Sequence, residues 1–395
     1  MNPRFRALTL GGFFTYVFVG LFYTLVGPLI PAIRDEFGLS HGEAAAAILY
    51  QCAGAGVAVL LAGAVADRAD RRRLIAGNFF ALGFCLCAFI FVDAWSAVLA
   101  FFLLLGLGFG FGETVLNALF MDLNHGSEGK GLNALHAAPA AGGILGAPFA
   151  AALLPWGWRA PLAVLGVVLL AGATWLLIAS YPPRLQSRLD GGGFGQSFRS
   201  IALHPGILIV AVLFAAYVGV EGSLNSWTVT YSLESLGASA AAGSVATSLF
   251  WLGLAAGRVA CSAFAAPGRY GRILVASSLG AAIAYAPVLV FPSLLTLTCS
   301  IFAAGLALGG LFPTALAYAG TLFPERPAAV TGFLFLWCTV GGGVVPAAVG
   351  LIADRWGMQA GMAAAWSGIL LLIAITGTLA AYESVARRLQ IAGRH

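Results

Sequence analysis

Residues 96–120 read SAVLAFFLLLGLGFGFGETVLNALF, and this stretch decides the fold. Apart from Glu113 it contains no charged residue, and nearly all of its other side chains are apolar or small. A helix of about 20 apolar residues is long enough to cross the hydrocarbon core of a bilayer. The stretch therefore predicts a membrane-spanning helix that carries one acid near mid-depth.

The rest of the chain has the same character. Hydrophobic residues make up 60% of the 395 residues and charged residues only 9%, against about 25% charged residues in soluble domains. We therefore predict an all-α membrane protein with twelve transmembrane helices. The expected spans are 7–33, 43–66, 74–93, 96–120, 131–155, 160–180, 204–233, 238–264, 269–290, 293–320, 326–352 and 358–382.

The chain also repeats itself at about half its length. Gly106-Leu-Gly-Phe-Gly110 resembles Gly305-Leu-Ala-Leu-Gly309, and Trp156-Gly157 resembles Trp356-Gly357, at offsets of 199 and 200 residues. Such an offset indicates a duplicated six-helix unit, an architecture known among transporters. We expect one bundle over 1–180, a polar linker over 181–203 and a second bundle over 204–395.

The arginines predict the orientation. If both termini are cytoplasmic, 17 of the 20 Lys and Arg residues lie inside, in agreement with the positive-inside rule. Only Arg34, Arg159 and Arg355 then lie outside. We therefore expect a bacterial cytoplasmic (inner) membrane protein with cytoplasmic termini and a cytoplasmic linker.

The loop after the second span reads Gly63-Ala-Val-Ala-Asp67-Arg68-Ala-Asp70-Arg71-Arg72-Arg73. A basic loop of this kind helps to set topology. The sequence also resembles the signature of the major facilitator superfamily, although Asp70 replaces the usual glycine. That resemblance implies two six-helix bundles and a conformational latch at this loop. The residues it assigns to the latch are Gly63, Asp67, Arg68, Arg71, Arg72 and, in the second half, Arg258.

Two acids, Glu113 and Glu221, lie deep in predicted spans, where an ionised side chain costs about 2.5–3.5 kcal/mol on insertion scales. Each should face a cavity or be protonated. We predict that Glu113 carries a coupling proton and that Glu221 contacts substrate. Polar and aromatic side chains on the same or nearby helix faces complete the predicted substrate site, although each could instead stabilise the bundle. They are Tyr16, Tyr23, Asn117, Asn133, His136, Tyr217, Asn225, Trp227, Tyr231, Trp251 and Trp337.

Parts of four spans resemble the fucose-permease-like branch of the superfamily. The resemblance rests on 112–117, 132–136, 221–231 and 251–258. It implies a symporter for a sugar or a similar polyhydroxylated compound, coupled to H+ or Na+. Separately, we expect the protein to be a monomer. The first span lacks the second acid that proton symporters of that branch can carry, so the coupling ion stays open.

Other functions fit the sequence less well. Proton-driven efflux of drugs or metabolites is the main alternative, and an intramembrane enzyme or lipid scramblase is a remote one. We expect no enzymatic activity, no cofactor and no metal, because no nucleophile with an activating base and no metal-ligand spacing is evident. The net charge of +5 comes without a basic stripe, so we expect the partners to be a small-molecule substrate and the lipid bilayer, not nucleic acid.

Overall fold

The computed structural model describes residues 3–66, 71–123, 128–178, 200–262, 268–323 and 327–392. Within these ranges the chain forms twelve helical spans long and apolar enough to cross a membrane. The prediction of an all-α membrane fold with twelve spans is confirmed. The helices are α1 (Pro3–Phe37), α2 (His41–Ala66), α3 (Arg71–Ala88), α4 (Trp95–Leu123), α5 (Glu128–Leu153), α6 (Arg159–Ile178), α7 (Pro205–Glu234), α8 (Ala240–Ser262), α9a (Tyr270–Tyr285), α9b (Pro287–Val290), α10a (Leu294–Leu308), α10b (Leu311–Leu322), α11 (Pro327–Trp356) and α12 (Met358–Ala392).

Twelve crossings bring both termini to the same side, which we call the terminal face. The other side, where α1 ends and α2 begins, is the opposite face. At the opposite face Gly157 separates α5 from α6 with a φ of 94°, and Gly357 separates α11 from α12 with a φ of 80°. Glycine adopts this left-handed region without steric cost. The two Trp-Gly pairs recognised in the sequence are therefore equivalent turns.

The repeated glycines make equivalent helix contacts. A Cβ on Gly106 would overlap the backbone of Gln51, and one on Gly305 would overlap the backbone of Phe250. Gly305 lies 199 residues after Gly106, and Phe250 lies 199 residues after Gln51, so the two contacts are equivalent. The absence of a side chain lets α4 pack closely on α2, and α10a on α8, as small residues do between membrane helices. The contacts support the duplication predicted from the sequence.

The N-terminal half, α1–α6, meets the C-terminal half, α7–α12, mainly along three helix pairs: α1 with α7, α2 with α11, and α5 with α8. A Cβ on Gly42 would touch Leu351 and Asp354 at the opposite face, and one on Gly56 would touch Thr339 near mid-depth. Contacts between the halves therefore extend from the opposite face to the middle of the bundle. Most of the predicted linker lies outside the described residues, which resume at 200.

Two sets of hydrogen bonds stabilise the start of α2. Ser40 and Glu43 form a capping box, in which the Ser40 amide donates to Glu43 Oε2 (2.8 Å) and the Glu43 amide donates to Ser40 Oγ (3.2 Å). Asp354 of the other half accepts from the amides of His41 (2.6 Å) and Gly42 (2.8 Å). The orphan N–H groups of this helix end thus have partners from both halves.

Candidate functional site

Glu221 lies near the middle of α7 and is the centre of a polar cluster. Its Oε2 accepts a 2.6 Å hydrogen bond from the Tyr217 hydroxyl, one turn earlier on the same helix. The guanidinium of Arg258 on α8 approaches both groups and attracts the carboxylate. Glu221 is 7% exposed and Tyr217 is 2% exposed. A buried carboxylate is tolerated when a cation and a donor compensate the loss of water.

Arg258 is incompletely paired in this arrangement. It forms no ion pair within 4 Å of an acid among the described residues, and its buried Nε has no hydrogen-bond partner. Buried donors in native proteins generally have a partner, and an exception requires an explanation. An acceptor of a bound solute could satisfy this donor. The predicted latch role of Arg258 stays a prediction, and in the structure its charge acts on Glu221 and Tyr217.

Tyr23 brings the N-terminal half into the same site. Its backbone carbonyl accepts a 2.8 Å hydrogen bond from Asn225 Nδ2, and Asn225 Oδ1 accepts a 3.0 Å hydrogen bond from Trp251 Nε1. The Tyr23 and Trp251 rings meet edge to face with their centroids 5.7 Å apart. Three of the predicted substrate residues therefore join α1, α7 and α8, and the polar atoms of Asn225 are already satisfied within the protein.

Glu113 approaches the site from α4. The carboxyl groups of Glu113 and Glu221 each lie near enough to the thiol of Cys338 on α11 to interact with it electrostatically. On its other side Glu113 borders a small, mainly apolar cavity within the N-terminal half, lined in part by Phe18, Asn78 and Leu169. A carboxyl group beside an apolar cavity is favoured in its neutral, protonated form, because ionisation there lacks solvation.

We define the central site as Tyr23, Glu113, Tyr217, Glu221 and Arg258, together with Cys338, which interacts electrostatically with both acids. These groups come from α1, α4, α7, α8 and α11, and therefore from both halves. Neither Arg258 nor Cys338 was among the residues predicted to contact substrate. For Arg258 a signal existed, because it follows Trp251 by seven residues and so shares its helix face.

Four other predicted residues lie elsewhere or serve packing. Trp227 is fully buried and donates to the Pro346 carbonyl (3.0 Å), while the Tyr231 hydroxyl bonds Gln359 Oε1 (2.5 Å). Tyr16 is buried in the apolar core, and Trp337 is partly buried and packs against that core. The side chains of Asn117, Asn133, His136, Gly63, Asp67, Arg68, Arg71 and Arg72 lie outside what the structure describes, so their assignments stay predictions.

The opposite face contains a second polar cluster, which was not predicted from the sequence. Arg34 donates to Glu234 Oε1 (2.5 Å), and the two ring nitrogens of His41 face Glu234 Oε2 (2.8 Å) and Asp354 Oδ1 (2.9 Å). Arg34 and His41 belong to the N-terminal half, and Glu234 and Asp354 to the C-terminal half. We call these four residues the His41 gate, because they hold the halves together at this face.

Relatives of known structure share this architecture. A bacterial homologue of the human lysosomal transporter Spinster, in an inward-facing and unoccupied conformation, superimposes with a TM-score of 0.81 at 15% identity, covering 96% of this chain and 98% of that one. A nucleoside transporter superimposes with a TM-score of 0.73 at 13% identity, covering 98% of this chain and 99% of that one.

Sequence comparison gives the same result. The protein "Bypass of stop codon protein 6" of Saccharomyces cerevisiae is 23% identical over 388 residues, which cover 87% of this chain and 76% of the yeast protein. The model of the Major Facilitator Superfamily matches residues 12–301, well over half of the chain. With twelve spans, duplicated halves and a polar site between them, this chain belongs to the Major Facilitator Superfamily.

Proposed function

We propose that this protein is a secondary active transporter that moves a small polar solute by alternating access. The observation that carries the proposal is the Glu221 cluster: a carboxylate and a hydroxyl are buried at mid-depth where the two halves meet, beside a guanidinium whose buried Nε has no partner. Intramembrane ionisable groups are costly and generally mark a solute or ion pathway. Sites of this kind lie at the repeat interface of transporters.

The chemistry of the cluster favours a polyhydroxylated solute such as a sugar or a nucleoside. Glu221 can accept from a hydroxyl, and Arg258 Nε can donate to a hydroxyl or ring oxygen. Hydrogen bonds to ionised groups are roughly twice as strong as neutral ones, so they can compensate for the hydration that the solute loses. The structural likeness to a nucleoside transporter supports this solute class. The fucose-permease-like assignment is the narrower form of the same hypothesis.

A solute with an anionic group is the second candidate. The free donor on Arg258 favours it, because guanidinium groups pair geometrically with carboxylates and phosphates. Transport could also run outward, and the alternative to uptake is efflux of an amphipathic compound by proton antiport. In either direction we propose Glu113 as the proton-linked group, with sodium as the competing coupling ion. We also propose that the termini are cytoplasmic and that the protein functions as a monomer in a bacterial cytoplasmic membrane.

A ligand screen by thermal unfolding tests the solute class. Purified protein is heated with neutral sugars, nucleosides, and small carboxylates or phosphates, because a ligand that binds only the folded state raises the melting temperature. We expect shifts with hydroxylated solutes that are lost in Glu221→Gln. Shifts confined to anions, and lost in Arg258→Gln, would favour the second candidate. Uptake and efflux of the hit in proteoliposomes then give the direction.

A further inference from the structure

We propose that the His41 gate is a proton-binding site, and that closing the opposite face takes up one proton between Glu234 and Asp354. Both ring nitrogens of His41 lie within hydrogen-bond distance of a carboxylate oxygen, at 2.9 Å for Nδ1 and 2.8 Å for Nε2. A carboxylate oxygen only accepts hydrogen bonds. A neutral imidazole has one N–H donor and one acceptor nitrogen, so it can satisfy only one of the two carboxylates.

The closed arrangement therefore needs one more proton than a neutral histidine supplies. If that proton is on the ring, the imidazolium donates to both acids. If it is on Glu234 Oε2, the carboxylic acid donates to Nε2. In both cases the cluster holds one additional proton, and its position does not alter the proton count.

The charges around His41 agree with this count. The groups that face it are Glu234 on α7 and Asp354 on α11, while Arg34 on α1 pairs with the other oxygen of Glu234. Glu43, on the helix of His41 itself, is bonded to the Ser40 amide. With one added proton, Arg34 and the ring balance the two gate carboxylates. The partial positive charge at the amino end of α2 disfavours a protonated His41 ring. Asp354 offsets this partial charge, because it accepts hydrogen bonds from two amides of that end.

Opening must separate these partners, because the acids belong to one half and His41 to the other. An isolated histidine exchanges its proton with water in the physiological pH range. Closure is thus favoured as pH falls, and opening is favoured as pH rises. One linked proton changes the ratio of closed to open molecules by at most about tenfold per pH unit.

The test measures the distance across the opposite face. Spin labels are attached at Phe91 and Phe291, which are exposed at equivalent places in the two halves, in a protein whose six cysteines are replaced. In the otherwise native protein we expect the short-distance population to grow as pH falls from 8 to 5.5. His41→Gln should remove this dependence, and Glu43→Gln, a nearby acid that does not contact His41, should keep it.

Glu234→Gln gives a sharper result. The amide can still accept from Arg34 through its oxygen, while its NH₂ donates to the acceptor nitrogen of a neutral His41. The gate then closes without the extra proton, so we expect a short distance that persists at pH 8. The same pH dependence in His41→Gln as in the native gate, or no dependence in the native gate, overturns the proposal. The inference rests on alternating access, but the labels need no solute, so an incorrect solute class would not affect the outcome.

Discussion

The Tyr217 hydroxyl donates a 2.6 Å hydrogen bond to Glu221, which lies one helical turn further along α7. The pair is buried, and Arg258 approaches it from α8. The protein itself therefore fixes the orientation of the Glu221 carboxylate, and for the solute contact that we propose such preorganisation would lower the entropic cost of binding.

Glu221→Gln should weaken solute binding at every pH. The change keeps the shape of the side chain but removes the charge, and a hydrogen bond to a charged group contributes about 1.5–3 kcal/mol. We expect the apparent KM for uptake to rise roughly 10- to 100-fold. Tyr217→Phe is the matched control: it keeps the charge, removes only the orienting bond, and should have a smaller effect. Equal KM values for Glu221→Gln and the native protein would exclude a contact with solute.

Glu113→Gln should separate accumulation from exchange. The amide cannot carry a proton, so a pH gradient should no longer drive uptake, whereas exchange of internal for external solute should continue. Proteoliposome assays with and without a gradient measure the two activities. Asn78→Ala, which changes the lining of the same cavity and leaves the acid, is the control. Gradient-driven accumulation by Glu113→Gln would show that the coupling proton binds elsewhere or that the coupling ion is Na+.

Asp67→Asn should slow transport and leave folding intact, because it removes a charge at the end of a helix that we expect to move. Initial uptake rates and thermal unfolding of the same preparation measure the two properties. Asp70→Asn, three residues later in the same loop, is the comparison, since the family signature carries glycine there. A native uptake rate in Asp67→Asn would leave this loop with a topological role only.

Gly106→Ala should lower the melting temperature by several degrees. The added Cβ would overlap the backbone of Gln51, which a side-chain rotation cannot relieve, and overpacking costs about 1–3 kcal/mol. Gly305→Ala should behave similarly because its contact is equivalent. Gly77→Ala has open space around the new methyl group, so its stability should not fall. A harmless Gly106→Ala would mean that α2 and α4 pack less closely than described.

A cysteine at position 71 should be protected from an impermeant thiol reagent in intact cells, because we place the basic loop in the cytoplasm. A cysteine at the exposed position Phe91, just beyond the other end of α3, should react. Both variants are made in a background without the native cysteines, and both should react after the cells are opened. The reversed pattern would invert the proposed orientation.

The twelve spans were predictable because each is a long apolar run, and lipid requires every backbone group in such a run to be bonded within a helix. The pair Tyr217 and Glu221 was also predictable, since residues four apart share a helix face. Arg258 was assigned to the latch because Gly257-Arg258 resembles a second-half counterpart of the basic loop after the second span. The helix face that it shares with Trp251 was a local signal, but its approach to Glu221 depends on how α8 packs on α7.

The His41 gate could not be predicted from the sequence. His41 and Asp354 are separated by 313 residues, and His41 and Glu234 by 193. Each lies at a helix end, where a charged residue is unremarkable by itself. These residues come together only because one half packs on the other, so the cluster cannot be predicted from periodicity or composition.

The capping box at Ser40 has a mechanical consequence. Both of its residues belong to the same half of the protein, so the capping box would stay intact when the gate opens and Asp354 moves away. The first turn of α2 would then stay folded, and α2 could move as a rigid helix. The helix has 26 residues, which at 1.5 Å per residue gives a lever arm of about 39 Å. One end carries His41, and the other leads directly into Asp67. If α2 tilts when the His41 gate opens or closes, its other end would move the basic loop on the far side of the membrane. A single rigid helix could thus prevent the two faces from being open at the same time.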